Sequence, residues 1–273
     1  MPESKLINQR RRFLKAASAG PIYGFSQRAF AKNSDSVAKT PDPRTFQSGD
    51  LIWPKRPGEF VPYNSGTTSP YDEEKLRWID ERRVFVEKVR ADPKSSQELR
   101  QLASDMASLD FNEFLTLYQA DQTPGTPKEY GGGAMVLYVG HVGVISIEDN
   151  EPTVVEALWG TGVVQTKYDA WLRGRSGTSV WHGRVSGRST EERGRIAVEA
   201  KKYLRRPYNF WNFDLADTSG FYCSKLCWLS IRDALNLAID DNPSPLRSFW
   251  FSPKQLLKAR RIEKLFVPGN YTF

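Results

Sequence analysis

The chain has 273 residues, a formal net charge of +7 and two cysteines, Cys223 and Cys227. The length fits one domain with additions to its core. Two cysteines exclude a disulfide-stapled scaffold, and no Cys/His cluster has the spacing of a zinc site, so we expect no metal and no cofactor.

The charge would suit a nucleic-acid partner if it were spread over the fold, but most of it lies in residues 1–31. Six basic residues and one acidic residue, Glu3, give this segment a net charge of +5, which leaves +2 for residues 32–273. A surface that binds phosphates needs a denser basic patch than that. We therefore expect no nucleic-acid partner.

Residues 1–31 have the pattern of an export signal that is removed from the mature protein. The run RRRFLK at 10–15 resembles a twin-arginine motif, although Gln9 replaces the usual Ser or Thr, and AFA at 29–31 is a small-x-small cleavage pattern. An ordinary secretory signal or a basic helix is the alternative, but GPIYG at 20–24 weakens the apolar core that the general export route needs. We predict cleavage after residue 31 and a periplasmic location.

Residues 32–47 are polar and contain prolines without periodicity, which predicts a linker. The domain proper is predicted at 48–273, and its first strand signal is GDLIW at 49–53. No stretch has the roughly 18 unbroken apolar residues of a membrane span, so we expect no stable membrane insertion.

Two amphipathic helices are predicted next. Apolar residues recur at helical spacing from Asp72 to Arg90, and Ser95 with Glu98 has the pattern of a capping box for the second helix. We interpret residues 72–120 as a helical insertion, because it interrupts a sequence that is otherwise rich in strand signals.

The β-rich core resumes after this insertion. Short β-branched runs bounded by Gly, Pro, Asp and Asn predict strands at 134–147, 153–160, 162–166 and 178–186. Further helices are predicted from a capping box at Ser189 and Glu192, from Cys223 to about Asp240, and within 252–261.

Cys223 has the sequence context of a nucleophile. A turn with Ser219 and Gly220 delivers it to the first turn of a helix, where N–H groups and the positive end of the helix dipole favour a thiolate. The same N–H groups would hold an oxyanion when a carbonyl is attacked. Cys227 follows one helical turn later and is interpreted as a core residue. A disulfide between the two is the alternative, although an i, i+4 pair in one helix is poorly directed for bridging.

A cysteine nucleophile needs a base, and the chain has two histidines, His141 and His182, for each of which a structural role is the alternative. A two-residue turn at 149–150 would pair Gly143 with Glu156 and place His141 and Glu156 on one face as diagonal neighbours. An odd register would separate them onto opposite faces. An unpaired carboxylate is costly in an apolar strand, so Glu156 is predicted to orient the imidazole.

Two other sets of residues are interpreted as structural. Asp50 is expected to be a turn residue ahead of the first strand rather than a catalytic carboxylate. The aromatic residues between Tyr208 and Tyr222 are expected to lie in the core, with one or two at the edge of a cleft.

The order of the segments resembles the circularly permuted branch of the NlpC-type papain-like cysteine hydrolases, the YiiX/YebB-like group, in which the histidine precedes the cysteine. The segments that carry the resemblance are GDLIW, GHVGVI, VVEAL with GVVQT, RPYNF, FYCSKLCW and FSPKQLL. The resemblance implies an α+β fold with an antiparallel sheet packed on the helix that starts at the nucleophile. It also implies Cys223 as nucleophile, His141 as base and Glu156 as the orienting residue. The insertion at 72–120 departs from the minimal family core.

The resemblance and these residues predict a thiol hydrolase that cleaves amide (peptide) bonds through an acyl-enzyme, with cell-wall peptides as the expected substrate. A lipid ester or amide hydrolase or acyltransferase on the same fold is the first alternative, with residues 72–120 as an apolar lid. A non-catalytic binding module is the second, and the intact Cys, His and Glu set argues against it. The expected partner is a peptide or a lipid-derived amide or ester.

Overall fold

The computed structural model describes residues 39–55, 70–114, 140–247, 251–269 and 271. These fall into two compact units, one formed by residues 83–114 and the other by the remaining described residues. The predicted export signal, its cleavage site and the beginning of the strand predicted at 134–147 lie outside the described residues.

The larger unit is built on a six-stranded sheet. Its strands are β1 (Leu51–Lys55), β2 (Gly143–Glu148), β3 (Glu151–Leu158), β4 (Gly162–Lys167), β5 (Ser179–Val185) and β6 (Ile262–Phe266). They lie in the order β4-β3-β2-β1-β5-β6, and every neighbouring pair is antiparallel. Strand β6 had no clear signal in the sequence, because it alternates poorly and lies at the exposed edge of the sheet.

The described part of the chain also contains helices. The described helices are α1 (Pro70–Ala91), α2 (Gln97–Ser108), α3 (Tyr168–Arg173), α4 (Thr190–Lys202), α5 (Cys223–Leu235) and α6 (Pro253–Lys258). Helices α4 and α5 pack on each other and on strands β2 and β3, and α3 packs on β3 and β4. The predicted α+β fold, with an antiparallel sheet packed on the helix that starts at Cys223, is confirmed.

The core holds the start of α5 firmly against the sheet. Residues 51–53 of β1 are fully buried, as are Leu226 and Trp228 of α5. Burial of a large apolar side chain stabilises a fold by about 1.5–3 kcal/mol. Cys223 therefore begins a helix whose position is fixed by packing along its length.

The β2–β3 hairpin has the even register that the sequence favoured. Its turn residues, Asp149 and Asn150, both have positive φ, at 50° and 63°, which is the geometry of a two-residue type I′ turn. Val144 pairs with Val155, so Gly143 lies opposite Glu156. A Cβ built on Gly143 would lie 2.7 Å from Val154 Cγ1, so only glycine fits there.

Two helix boundaries differ from those predicted. The capping box at Ser95 is wrong: Ser96 is the N-cap of α2, and its Oγ accepts a hydrogen bond from the Leu99 N–H at 3.2 Å. Ser95 instead donates from Oγ to the Val89 carbonyl at 2.9 Å. Helix α5 ends at Leu235 rather than near Asp240, because Asn236 adopts the left-handed conformation that stops a helix.

Part of the segment predicted as a linker packs against the sheet. Residues 43–45 form a 3-10 helix, and Phe46 is buried in a cluster with Tyr168 and Trp171. The Lys39 carbonyl accepts a hydrogen bond from the Val180 N–H at 2.9 Å. The described end of this segment is thus tied to strand β5.

Candidate active site

Cys223 is the first residue of α5 and is only 3% exposed. Its predecessor, Tyr222, is the N-cap, has an extended backbone and makes no side-chain hydrogen bond to the first turn of the helix. The N–H groups of the first turn point out of the helix end and give it a partial positive charge. A thiolate and an oxyanion are both favoured at such a position.

A tightly fitted turn delivers Cys223 to this helix end. Phe221 exchanges backbone hydrogen bonds with the neighbouring segment, donating to the Pro207 carbonyl and accepting from the Asn209 N–H, both at 3.0 Å. A Cβ on Gly220 would lie 2.7 Å from Asn209 Cβ, so the two segments approach closely only because residue 220 is glycine. Lys225, which is fully buried, donates from Nζ to the Gly220 carbonyl at 2.8 Å and also to the Asp217 carbonyl.

His141 lies just ahead of β2, between Glu156 and Cys223. Its Nε2 is 2.7 Å from Glu156 Oε2. Because an ionised carboxylate only accepts hydrogen bonds, Nε2 carries the proton in this contact. Cys223 interacts with the same ring, since its charge and hydrogen bonding raise the pKa of His141.

Glu156 projects from β3 into a site where it is only 1% exposed, yet four hydrogen bonds satisfy it. Its Oε2 accepts from His141, from Trp171 Nε1 at 2.8 Å and from Arg175 Nη2 at 2.9 Å. Its Oε1 accepts from the same Arg175 nitrogen at 3.0 Å. The buried carboxylate is therefore paired with a permanent cation as well as with the imidazole.

The electrostatics of the site favour charged partners. Burial by itself would lower the pKa of His141, but the charge and hydrogen bond of Cys223, followed by those of Glu156, outweigh it and raise the pKa of His141 to about 10. Burial by itself would raise the pKa of Glu156, but His141, Arg175 and Trp171 together hold that pKa below its usual range. At neutral pH His141 is therefore an imidazolium and Glu156 is a carboxylate.

The structure brings Cys223, His141 and Glu156 together and places His182 elsewhere. His182 is 1% exposed, and its Nε2 lies 2.8 Å from Asp50 Oδ2. Arg184 donates to both oxygens of Asp50, at 2.7 and 2.8 Å. Asp50 also accepts from the Gln47 N–H at 2.8 Å, so it is the expected turn residue and, in addition, the centre of a buried ion cluster that the sequence did not indicate.

Cys227 is a buried free thiol one turn below Cys223, and Cys223 is free as well, so the disulfide alternative is wrong. Burial, together with the charge of Cys223, raises the pKa of Cys227 well above its ordinary value. A thiol that keeps its proton is a poor nucleophile. The structure accordingly gives Cys227 the core position that the sequence indicated.

Sequence reasoning missed Trp171 and Arg175. Both follow β4, Trp171 in α3 and Arg175 in the turn after it, and Arg175 is nineteen residues from Glu156. The available signal was indirect: a carboxylate predicted in an apolar strand requires a cation, but nothing in the sequence distinguishes Arg175 from the other arginines of the chain.

A cavity of about 400 Å³ lies beside the turn that leads to Cys223. Ser219 and Gly220 form part of its wall, and α1 contributes Glu81, which accepts a hydrogen bond from Asn209 Nδ2 at 3.0 Å. The other lining residues are Arg77, Asp80, Trp159, Pro207, Tyr208, Phe210 and Trp211. The volume lies within the range of small-molecule sites, about 300–1,000 Å³.

In the described part of the chain, no group of three or more His, Cys, Asp or Glu side chains is arranged to hold a metal ion. No helix among the described segments combines the length and the apolar character needed to cross a bilayer.

Comparison with known proteins gives three matches. The model of a family described as permuted papain-like amidase enzymes, YaeF/YiiX, C92 family, matches residues 135–261. An uncharacterized protein, YiiX, of Escherichia coli K12 is 31% identical over 117 residues, which are 42% of this chain and 55% of that protein. A crystal structure described as the metalloprotein YiiX of Escherichia coli O157:H7 is 24% identical and covers 46% of this chain and 81% of that one, with a TM-score of 0.39.

This chain spans little more than half the length of the curated relative that it matches. The matched region nevertheless contains His141, Glu156 and Cys223. Over residues 135–261 the chain is therefore similar to the permuted papain-like amidases.

Proposed function

We propose that the protein hydrolyses an amide bond in peptides derived from the cell wall, in the periplasm, with Cys223 as nucleophile, His141 as proton carrier and Glu156 as the residue that orients the imidazole. The observation that carries the proposal is the series of contacts from Glu156 through His141 to Cys223 at the N-terminus of α5. A carboxylate, an imidazole and a thiol in series are the groups that acyl transfer to cysteine needs.

Acylation begins when the thiolate of Cys223 attacks the carbonyl carbon and forms a C–S bond. Negative charge develops on the carbonyl oxygen beside the start of α5, where backbone N–H groups stabilise it. The imidazolium of His141 gives its proton to the leaving nitrogen, the C–N bond breaks, and the amine departs. Cys223 is then a thioester and His141 is neutral.

Deacylation reverses the proton flow. Neutral His141 takes a proton from a water molecule while the water oxygen attacks the thioester carbon. The C–S bond breaks, the carboxylic acid leaves, and the thiolate and the imidazolium are restored. Glu156 stays ionised through both steps because its pKa is held low, so it keeps the ring in one orientation.

The choice of wall peptides rests on three supports. The matched family is one of amidases, which act on amide bonds. Residues 1–31 have the pattern of an export signal, which would bring the enzyme to the wall. The charge of +2 that remains on residues 32–273 supplies little attraction to anionic lipid, since recognition of such a surface typically takes a cluster of about 4–8 basic residues.

The test is to incubate the purified protein with peptidoglycan-derived peptides and, separately, with phospholipid vesicles. Products and adducts on Cys223 are measured by mass spectrometry, with Cys223→Ala as the control. We expect cleavage of the peptides and an acyl adduct on Cys223 from the peptides alone. Cysteine-dependent release of fatty acid without peptide cleavage would replace this proposal with the lipid hydrolase, and no adduct from either substrate would favour a binding module.

A further inference from the structure

We propose that Arg175, supported by Trp171, is a positioning residue that neutralises Glu156 and fixes the direction in which its carboxylate meets His141. The inference rests on the proposed function, because it assigns the two residues a role in the Cys223–His141–Glu156 series. Both act through Glu156 rather than on the substrate.

The contacts hold Arg175 in one place. Its Nη2 donates to both oxygens of Glu156, at 2.9 and 3.0 Å, and its Nη1 donates to the Trp171 carbonyl at 3.3 Å. The guanidinium carbon lies 4.4 Å from the centroid of the Trp171 ring, in a cation–π contact. The indole Nε1 donates to Glu156 Oε2 at 2.8 Å, so the residue under the guanidinium also orients the carboxylate.

The charge of Arg175 matters most when His141 is neutral. In the resting site of the proposed mechanism, a thiolate and an imidazolium would offset each other, as Glu156 and Arg175 do. In the acyl-enzyme, Cys223 and His141 are both uncharged, and without Arg175 the buried carboxylate would be left without a compensating charge, at a high cost. Such a carboxylate would hold the proton on His141 or take up a proton itself, and either change would impair the proton transfers.

The described groups that face Glu156 come from the elements packed around β3. The segment ahead of β2 contributes His141, α5 contributes Cys223 through that histidine, and α3 with its following turn contributes Trp171 and Arg175. Strand β4 places the uncharged Val164 opposite Glu156. Helix α4 also packs on β3, but its buried cation, Arg193, is engaged by Gln47 and the Arg188 carbonyl. Arg175 is thus the arginine paired with this carboxylate.

The test is the pH dependence of Cys223 alkylation by iodoacetamide, read by mass spectrometry at each cysteine. Arg175→Met should move the acidic limb to higher pH by about one unit, because an adjacent arginine lowers the pKa of a carboxyl group by about 1–3 units. Neutral Glu156 then no longer supports the imidazolium that pairs with the thiolate. Arg175→Lys keeps the positive charge and should therefore shift the acidic limb less than Arg175→Met does. Arg173→Met, which removes an exposed arginine two residues earlier, should leave the acidic limb unchanged.

Alkylation requires no substrate, so this result is independent of which bond the enzyme cleaves. An Arg175→Met protein that folds and keeps the wild-type acidic limb overturns the proposal. If that variant does not fold, Arg175→Lys and Trp171→Phe decide, because the first removes the guanidinium from between Glu156 and the Trp171 carbonyl and the second removes one donor to Glu156. Unchanged acidic limbs in both variants overturn the proposal. Failure of the underlying catalytic pair has a separate signature, namely that His141→Gln leaves the limb unchanged as well.

Discussion

Replacement of Glu156 by glutamine should lower the pKa of His141. Glutamine preserves the shape of the side chain but removes its charge, and it turns one of the two acceptor oxygens into a donor. The carboxylate now receives donors from His141, Trp171 and Arg175, three of the four hydrogen bonds ending on Oε2. The variant therefore loses both the attraction and the alignment that hold the imidazolium.

The expected size of this fall follows from the groups that set the pKa of His141 in the wild-type protein. Against the effect of burial, Cys223 first and Glu156 second raise the pKa of His141 from 6.5 to about 10. An opposite charge in contact contributes about 1–3 units. Because Cys223 keeps its share, we expect a fall of about 1–2 units in the pKa of His141, which corresponds to about 1.4–2.7 kcal/mol of lost imidazolium stabilisation.

NMR of the imidazole ring nitrogens measures the pKa of His141 directly. The chain has two histidines, and the signals that His141→Gln removes identify His141. The wild-type ring should lose its proton near pH 10 and the Glu156→Gln ring at lower pH, and the alkaline end of the activity profile should move down with it, because acylation needs the imidazolium as its acid. Glu151→Gln, which removes an exposed carboxylate from the same strand, serves as the control. Equal midpoints for wild type and Glu156→Gln would refute the assigned role of Glu156.

Three further outcomes are expected. Cys223→Ala should abolish hydrolysis without loss of fold. Cys227→Ala should stay active but lose about 1–2 kcal/mol of unfolding free energy, measured by urea unfolding, because it leaves a small cavity. If only Cys227→Ala inactivated the protein, the roles of the two cysteines would be reversed. Gly220→Ala should lower the free energy of unfolding by about 1–3 kcal/mol and remove most activity, because its Cβ would lie 2.7 Å from a neighbouring side chain. Gly194→Ala, whose Cβ would have its nearest atom at 4.0 Å, should be neutral or stabilising. Equal effects of the two changes would contradict the close approach at the turn. Lysines at Arg10–Arg11 should block export in cell fractionation, and normal export would exclude the twin-arginine signal.

Much of the site could be predicted from the sequence alone, because it depends on local chemistry. Asp149 and Asn150 tolerate positive φ, so a two-residue turn was expected, and the period of two along a strand then placed His141 and Glu156 on one face. The glycine turn before Cys223 similarly placed that residue at a helix start. The start of α2 was predicted one residue too early, because adjacent serines at 95 and 96 both carry a capping hydroxyl and only the backbone geometry distinguishes them.

The sequence by itself thus determined the hairpin, the helix that starts at Cys223 and the order of the reactive residues, because each depends on neighbours a few positions away. Only the tertiary structure decided which charges meet. Arg175 reaches Glu156 across nineteen residues, and His182 reaches Asp50 across 132. A charged side chain has no periodic signal that names its partner, so these pairs are settled by where the packed sheet and its helices place the two backbones.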